Sequence, residues 1–147
     1  MKGSYCLIIH KEKSSKIEVG AIGSAIYKEG FYVYIGSAMN SLIPRIKRHL
    51  SNEKKIRWHI DYLLKDNTTK IEDIIFTISE KKVECSLANF ISKNGEEKEN
   101  FGCSDCKCKS HLIYFSNKDF CIDTVKKAYE NQEINFYNLE YFKSLEK

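Results

Sequence analysis

The sequence has little of what loop-rich, secreted or membrane-spanning chains require. It contains one proline and seven glycines in 147 residues, which excludes collagen-like and loop-dominated folds. The apolar run nearest the N-terminus covers only residues 6–9, too short for a signal-peptide core. No run approaches the roughly 20 apolar residues that span a bilayer. We therefore expect a soluble, cytoplasmic protein with no membrane partner.

The composition that is present is that of a globular domain. Hydrophobic residues make up 42% and charged residues 30%, which excludes a disordered tail. A chain of this length can fold without a metal or disulfide. We expect one domain over residues 1–147, with a core at about 3–115 and a helical extension at 117–147.

Hydrophobic periodicity predicts both strands and helices, without a regular βαβ alternation. The predicted strands cover residues 4–10, 17–23, 25–27, 31–35, 71–79 and 112–115. The predicted helices cover residues 42–50, 56–64, 83–92, 117–131 and the last 15 residues. Residues 28–30 carry a hairpin signal that ends in glycine. The pattern predicts an α+β fold, with a small mixed, mainly antiparallel sheet of three or more strands flanked by helices.

Positive charge is concentrated in one segment, residues 45–57. It holds six basic residues and one acid, Glu53, a net charge of +5, whereas the whole chain carries only +4. All three arginines lie there, and arginine forks match phosphate oxygens. The segment is either a nucleic-acid contact surface or a solvated helix face. The candidate nucleic-acid-binding residues outside the motifs below are Arg48, Lys54, Lys55 and Arg57.

Four short motifs follow one another along the chain. They are Gly3-Ser4-Tyr5, Tyr34-Ile35-Gly36, the pair Arg45 and His49 on one predicted helix, and Glu84 at the start of a later helix. In this order and spacing they resemble the GIY-YIG nuclease family over residues 3–115. The RWHIDYLL stretch at 57–64 and the SDCxCxxHL stretch at 104–112 resemble a compact branch of that family.

The resemblance implies a metal-dependent endonuclease that hydrolyses phosphodiester bonds in DNA. It assigns Tyr5 as general base or its positioning partner, and Tyr34 as a contact to phosphate or water. It further implies that Arg45 binds the scissile phosphate, His49 hydrogen-bonds a tyrosine, and Glu84 holds one Mg²⁺ or Mn²⁺ ion. The alternative is a non-catalytic nucleic-acid-binding module on the same scaffold.

The sequence departs from the family pattern in three places. Ser4 stands at the central position of the first motif, and Tyr34 follows Tyr5 by an unusually long interval. We expect residues 17–27 to form an added hairpin within that interval. The late asparagine of the family cannot be assigned among Asn89, Asn94 and Asn100.

Six cysteines are present, and without a secretory signal they are free thiols or metal ligands more often than disulfides. A dense cluster contains Cys103, Cys106, Cys108 and His111. These are ligand types that zinc binds tetrahedrally, although structural zinc sites normally join two separated pairs of ligands. The alternatives are reduced packing residues or a redox pair.

Overall fold

The computed structural model of the protein describes residues 2–38, 40–98, 101 and 111–145. Its strands are β1 (Gly3–Lys11), β2 (Ser15–Glu18), β3 (Ser24–Tyr27), β4 (Gly30–Ala38), β5 (Thr69–Ile78), β6 (Glu96–Glu97) and β7 (Leu112–Phe115). Its helices are α1 (Leu42–Leu50), α2 (His59–Lys65), α3 (Glu84–Ser92), α4 (Lys118–Asn131) and α5 (Leu139–Leu145).

Five strands form one antiparallel sheet in the order β5-β1-β4-β7-β6. β1 runs antiparallel to both β4 and β5 and is therefore flanked on both sides. β2 and β3 form a separate two-stranded sheet. The α+β fold class predicted from periodicity is confirmed, and so is the added hairpin within residues 17–27.

The central sheet is covered on both faces because side chains of β1 alternate between two apolar clusters. Leu7 and Ile9 pack with α1, α2 and α5, whereas Cys6 and Ile8 pack with α3 and α4. All four side chains are fully buried. The motif-bearing strands thus lie in the middle layer, where their positions are held from both sides.

The hairpin predicted at residues 28–30 is wrong, because β3 pairs with β2 while β4 pairs with β1 and β7. The expected strand at 17–23 breaks at Gly20, which adopts a positive φ of 46° and begins a short 3-10 turn. The polar loop after α3 contains the two-residue strand β6, which pairs with β7. Such edge pairings carry no periodic signal in the sequence.

The helices match their periodic patterns to different extents. α1 spans the predicted 42–50, with Leu42 and Ile46 buried. α2 begins three residues later than predicted, at His59, and the C-terminal helix covers only Leu139–Leu145. Within the described ranges, no helix has the length and apolar content needed to cross a membrane.

Candidate active site

The first two motifs meet because Tyr5 of β1 lies directly opposite Gly36 of β4. A Cβ atom at Gly36 would lie 2.6 Å from both the Tyr5 hydroxyl and the adjacent ring carbon. The absence of a side chain at Gly36 is therefore what allows the Tyr5 ring to lie against β4. Tyr5 is 2% exposed, so this phenol sits at the base of the site.

Helix α1 follows β4 and carries the third motif onto the Tyr5 ring. His49 lies one helical turn after Arg45, and its Nε2 is 2.8 Å from the Tyr5 hydroxyl in a buried hydrogen bond. Arg45 Nη1 donates to the Ser37 carbonyl at 3.0 Å. The guanidinium of Arg45 is thereby anchored to the end of β4.

Tyr34 contributes a second phenol from β4. Its ring centroid lies 6.1 Å from that of His49 and 6.2 Å from that of Phe101. Tyr34 is half-buried, whereas Tyr5 and His49 are buried. The site therefore opens toward solvent on the side where Tyr34 and the half-buried Arg45 lie.

Glu84, the first residue of α3, belongs to the same neighbourhood. The charge of its carboxylate contributes to the raised pKa of Tyr5 and partly opposes the lowering of the His111 pKa. His111 is buried just before β7, and desolvation lowers its pKa despite Glu84. The Glu84 charge thus acts on His111, which the sequence grouped with cysteines that lie outside the described residues.

Burial controls the protonation of the central pair. Desolvation raises the pKa of Tyr5, Tyr34 and Glu84 raise it further, and Arg45 opposes them. Desolvation lowers the pKa of His49 to about 3, helped by Lys54, Arg48 and Arg45. Both groups are therefore neutral at pH 7, and the tautomer of His49 decides whether the Tyr5 hydroxyl or Nε2 donates the hydrogen bond between them. The buried Nδ1 of His49 has no hydrogen-bond partner among the described residues.

The basic segment divides into inward-facing and outward-facing side chains. Arg48 forms a fork with the buried Asp61 at 3.0 and 2.9 Å. Lys54 donates to the carbonyls of His49 and Ser51 near the end of α1. The remaining two of the four predicted nucleic-acid contacts, Lys55 and Arg57, are exposed.

Asp61 organises the junction between α1 and α2. Its Oδ2 accepts hydrogen bonds from the backbone N–H groups of Arg57 and Trp58 as well as from Arg48. Desolvation opposes ionisation, but the hydrogen bonds of Arg48 and the two backbone groups lower the pKa of Asp61. The sequence did not predict this role, and an acid three residues after the N-cap residue Trp58 is its only local signal.

The cysteines fall into three groups. Cys6 and Cys121 are buried free thiols, and burial raises the pKa of each to about 12. Cys85, next to Glu84, is disulfide-bonded. The predicted zinc ligands Cys103, Cys106 and Cys108 lie outside the described residues. Within the part of the chain that the structure describes, no three metal-ligating side chains cluster together.

The asparagines considered for the late family position are surface residues where the structure describes them. Asn89 and Asn94 are exposed, and the Asn94 amide donates to the Phe90 carbonyl. Asn100 lies outside the described residues. Among the described residues, the pKa values of the buried Tyr5 and His111 respond to Glu84.

Comparison with known proteins gives one positive result. No curated protein and no solved structure matches the chain. A family model matches residues 4–134, which include Tyr5, Tyr34, Arg45, His49 and Glu84. The chain therefore belongs to the family described as Domain of unknown function DUF123.

Proposed function

We propose that this protein is a metal-dependent endonuclease of the GIY-YIG type that hydrolyses phosphodiester bonds in DNA. The observation that carries the proposal is the buried 2.8 Å contact between the Tyr5 hydroxyl and His49 Nε2. It joins a proton donor to a neutral acceptor beside an anchored arginine. Such a pair is suited to moving a proton next to a bound phosphate.

Arg45 is the group in this site that is suited to bind the scissile phosphate. A guanidinium has five N–H donors, and the Ser37 carbonyl accepts from only one nitrogen of Arg45. The remaining donors can form a fork with phosphate oxygens. Because Arg45 is half-buried, water screens that charge less than it would at an exposed surface.

Tyr5 and His49 supply the proton transfer in the proposal. As a water molecule attacks phosphorus, Tyr5 accepts its proton while the Tyr5 hydroxyl proton passes to His49 Nε2. The raised pKa of Tyr5 opposes a free phenolate and the lowered pKa of His49 opposes an imidazolium, so the transfer requires the negative charge of the bound phosphate to stabilise the protonated His49. Tyr34, at the open side, is placed to orient the water or a phosphate oxygen.

Glu84 is the residue that would hold a divalent cation. A carboxylate oxygen suits Mg²⁺ or Mn²⁺, and the influence of the Glu84 charge on both Tyr5 and His111 supports this role. The cation, when bound, would neutralise charge on the phosphate and on the leaving oxygen. Neutralising Glu84 also removes one influence that raises the pKa of Tyr5.

One experiment tests the proposal directly. Purified protein is incubated with supercoiled plasmid and with branched DNA oligonucleotides over a titration of Mg²⁺ and of Mn²⁺. Cleavage should require the metal and be lost in Glu84→Gln, while DNA binding is retained. Glu80→Gln is the matched control, because Glu80 is exposed and pairs only with Lys2 at 3.7 Å among the described residues.

The second candidate is a nucleic-acid-binding module without turnover. Burial raises the pKa of Tyr5, so its hydroxyl keeps its proton at neutral pH. A phenol in that state is a poor general base, which favours this second candidate. In this case the wild-type protein would bind DNA but leave it intact at every metal concentration. Glu84→Gln would then bind DNA as the wild type does.

A further inference from the structure

Trp58, the single tryptophan of the chain, lies where four cationic or ionisable side chains converge. Its indole is half-buried at the start of α2. The guanidinium carbons of Arg48, Arg45 and Arg57 lie 4.3, 4.8 and 5.9 Å from its ring centroid, and the His49 ring lies 5.8 Å away. Two of these four side chains, Arg45 and His49, belong to the candidate active site.

The position of the indole is fixed by a buried network behind it. Asp61, which is fully buried, accepts the backbone N–H of Trp58 at 2.9 Å. The same carboxylate binds the Arg48 fork, and Arg48 in turn lies over the indole. Asp61 therefore fixes Trp58 in two ways. It binds the Trp58 backbone N–H directly, and it holds the Arg48 guanidinium that lies over the ring.

The indole provides a further anchor for Arg45. The Ser37 carbonyl holds one nitrogen of the guanidinium, and the Tyr5 hydroxyl also interacts with the Arg45 side chain, but these polar contacts leave some rotation of the group possible. Cation–π attraction to the indole, about 0.5–2 kcal/mol, restricts this rotation. A guanidinium held over a ring keeps its remaining in-plane N–H donors available for a phosphate.

The indole also borders His49. His49 is bound on its Nε2 side by Tyr5, and its Nδ1 has no hydrogen-bond partner among the described residues. A ring held by a single hydrogen bond can rotate about that bond. Packing against Trp58 therefore restricts the rotation of the His49 imidazole. Arg45 and His49 share this one aromatic neighbour from α2.

We propose that Trp58 is a positioning residue of the candidate active site, which holds the Arg45 guanidinium and the His49 imidazole in place and is itself held by Asp61. What the positioned groups do rests on the proposed nuclease function. Their positioning does not, because it follows from contacts within the free protein. The two ideas can therefore fail separately.

NMR spectroscopy of the arginine side chains tests the positioning without substrate. The chain has only three arginines, so the Nε–Hε region contains three signals. In the wild type, the Arg45 Hε should show through-space contacts to the indole protons and an ordered Nε. The indole should also displace the chemical shift of the Arg45 Hε through its ring current. Trp58→Leu should abolish this displacement and lower the order of the Arg45 Nε, whereas Trp58→Phe should retain most of both.

Tyr62→Leu is the matched control, because Tyr62 is another half-buried aromatic residue of α2, and it packs beside Gly20 instead. Its removal should leave the Arg45 signal unchanged. The proposal is wrong if the Arg45 signal is the same in Trp58→Leu and wild type, or if the Phe and Leu variants behave alike. Should Trp58→Leu not fold, the wild-type contacts and Trp58→Phe decide the question.

A kinetic measurement tests whether the positioning of Arg45 and His49 by Trp58 affects DNA cleavage. In Trp58→Leu, kcat for DNA cleavage should fall about 10- to 100-fold, because small misplacements of catalytic groups have effects of that size. KM should change less than threefold, and Trp58→Phe should restore most of kcat. A fall confined to KM would overturn the proposal. A wild type that cleaves nothing refutes the nuclease function instead, while the NMR result still decides the positioning.

Discussion

At the scale of single residues, the contact between Tyr5 and His49 matters because each partner is buried and neutral. The neutral phenol and the neutral imidazole share one hydrogen bond, so neither carries a charge that burial would penalise. Gly36 leaves the space that this geometry requires. The site is therefore assembled in the free protein.

Tyr5→Phe tests whether the hydroxyl acts in catalysis. The ring still fills its place, so stability should fall by about 1 kcal/mol, the typical value of one hydrogen bond. Cleavage should fall about 100- to 1000-fold, as when one transition-state contact is removed. The measurement is single-turnover cleavage of a labelled DNA oligonucleotide together with denaturant unfolding.

Tyr32→Phe is the control for that change. Tyr32 is equally buried in the same sheet, and its hydroxyl donates to the Lys28 carbonyl instead. It should lose similar stability and keep its activity. Equal losses of activity in the two variants would contradict a catalytic Tyr5.

The depressed pKa of His49 predicts a dependence of stability on pH. The folded-state pKa of about 3 lies below the ordinary 6.5, so between these values only the unfolded chain binds the proton. The contribution of His49 to the free energy of unfolding is complete above pH 6.5. It declines by about 1.4 kcal/mol per pH unit as the pH falls below that value. His49→Gln removes this dependence.

Denaturant unfolding of both proteins at pH 7.5 and pH 5.0 measures the effect. The wild type should lose about 2 kcal/mol more than His49→Gln over this interval. His10, His59 and His111 are common to both proteins, so their contributions cancel. An equal loss in the two proteins would show that His49 titrates normally.

At the scale of elements, the basic segment at residues 45–57 contains both charges that bind the chain itself and charges that are exposed. Arg48 and Lys54 bind groups of the chain itself, whereas Lys55 and Arg57 are exposed on the same segment. The sequence correctly located a basic segment. It could not distinguish these two roles, because the distinction depends on which side chain faces Asp61.

Lys55→Ala and Arg57→Ala should each weaken DNA binding and reduce the slope of log K against log salt by about 1. Stability should change by less than about 0.5 kcal/mol, as for other surface sites. Fluorescence anisotropy with a labelled duplex over a salt series provides the slope. Lys127→Ala, an exposed lysine of α4, is the control and should leave the slope unchanged.

At the scale of the whole molecule, β1 connects the two apolar clusters. Its alternate side chains enter opposite layers, so the helices on either face rest on the same strand. The site lies on one of these faces, and Glu84 reaches it from α3, which packs on the other. The geometry of the candidate active site therefore depends on the integrity of both layers.

Leu7→Ala should lower the free energy of unfolding by about 2–5 kcal/mol, because it leaves a cavity in a filled core. Ile26→Ala is the control, since Ile26 is 57% exposed, and it should cost less than about 0.5 kcal/mol. Thermal unfolding followed by circular dichroism measures both. A Leu7→Ala protein as stable as the control would contradict the described core.

The sequence by itself determined the elements with strong local signals. Aromatic and β-branched composition predicted β1 and β4, a four-residue spacing predicted α1 and α3, and the fixed 45-to-49 interval placed Arg45 and His49 on one helix. These features depend on neighbours a few residues away, so local periodicity is sufficient to predict them. The same local information placed the basic residues in one segment.

The tertiary structure alone decided which distant groups meet. The partner of β3, the contact of Tyr5 with His49 across 44 positions and the pairing of Arg48 with Asp61 all depend on chain packing. So do the shifted pKa values of Tyr5 and His49, because desolvation is a property of the folded environment. Composition and spacing contain no measure of that environment, and only the packed molecule supplies it.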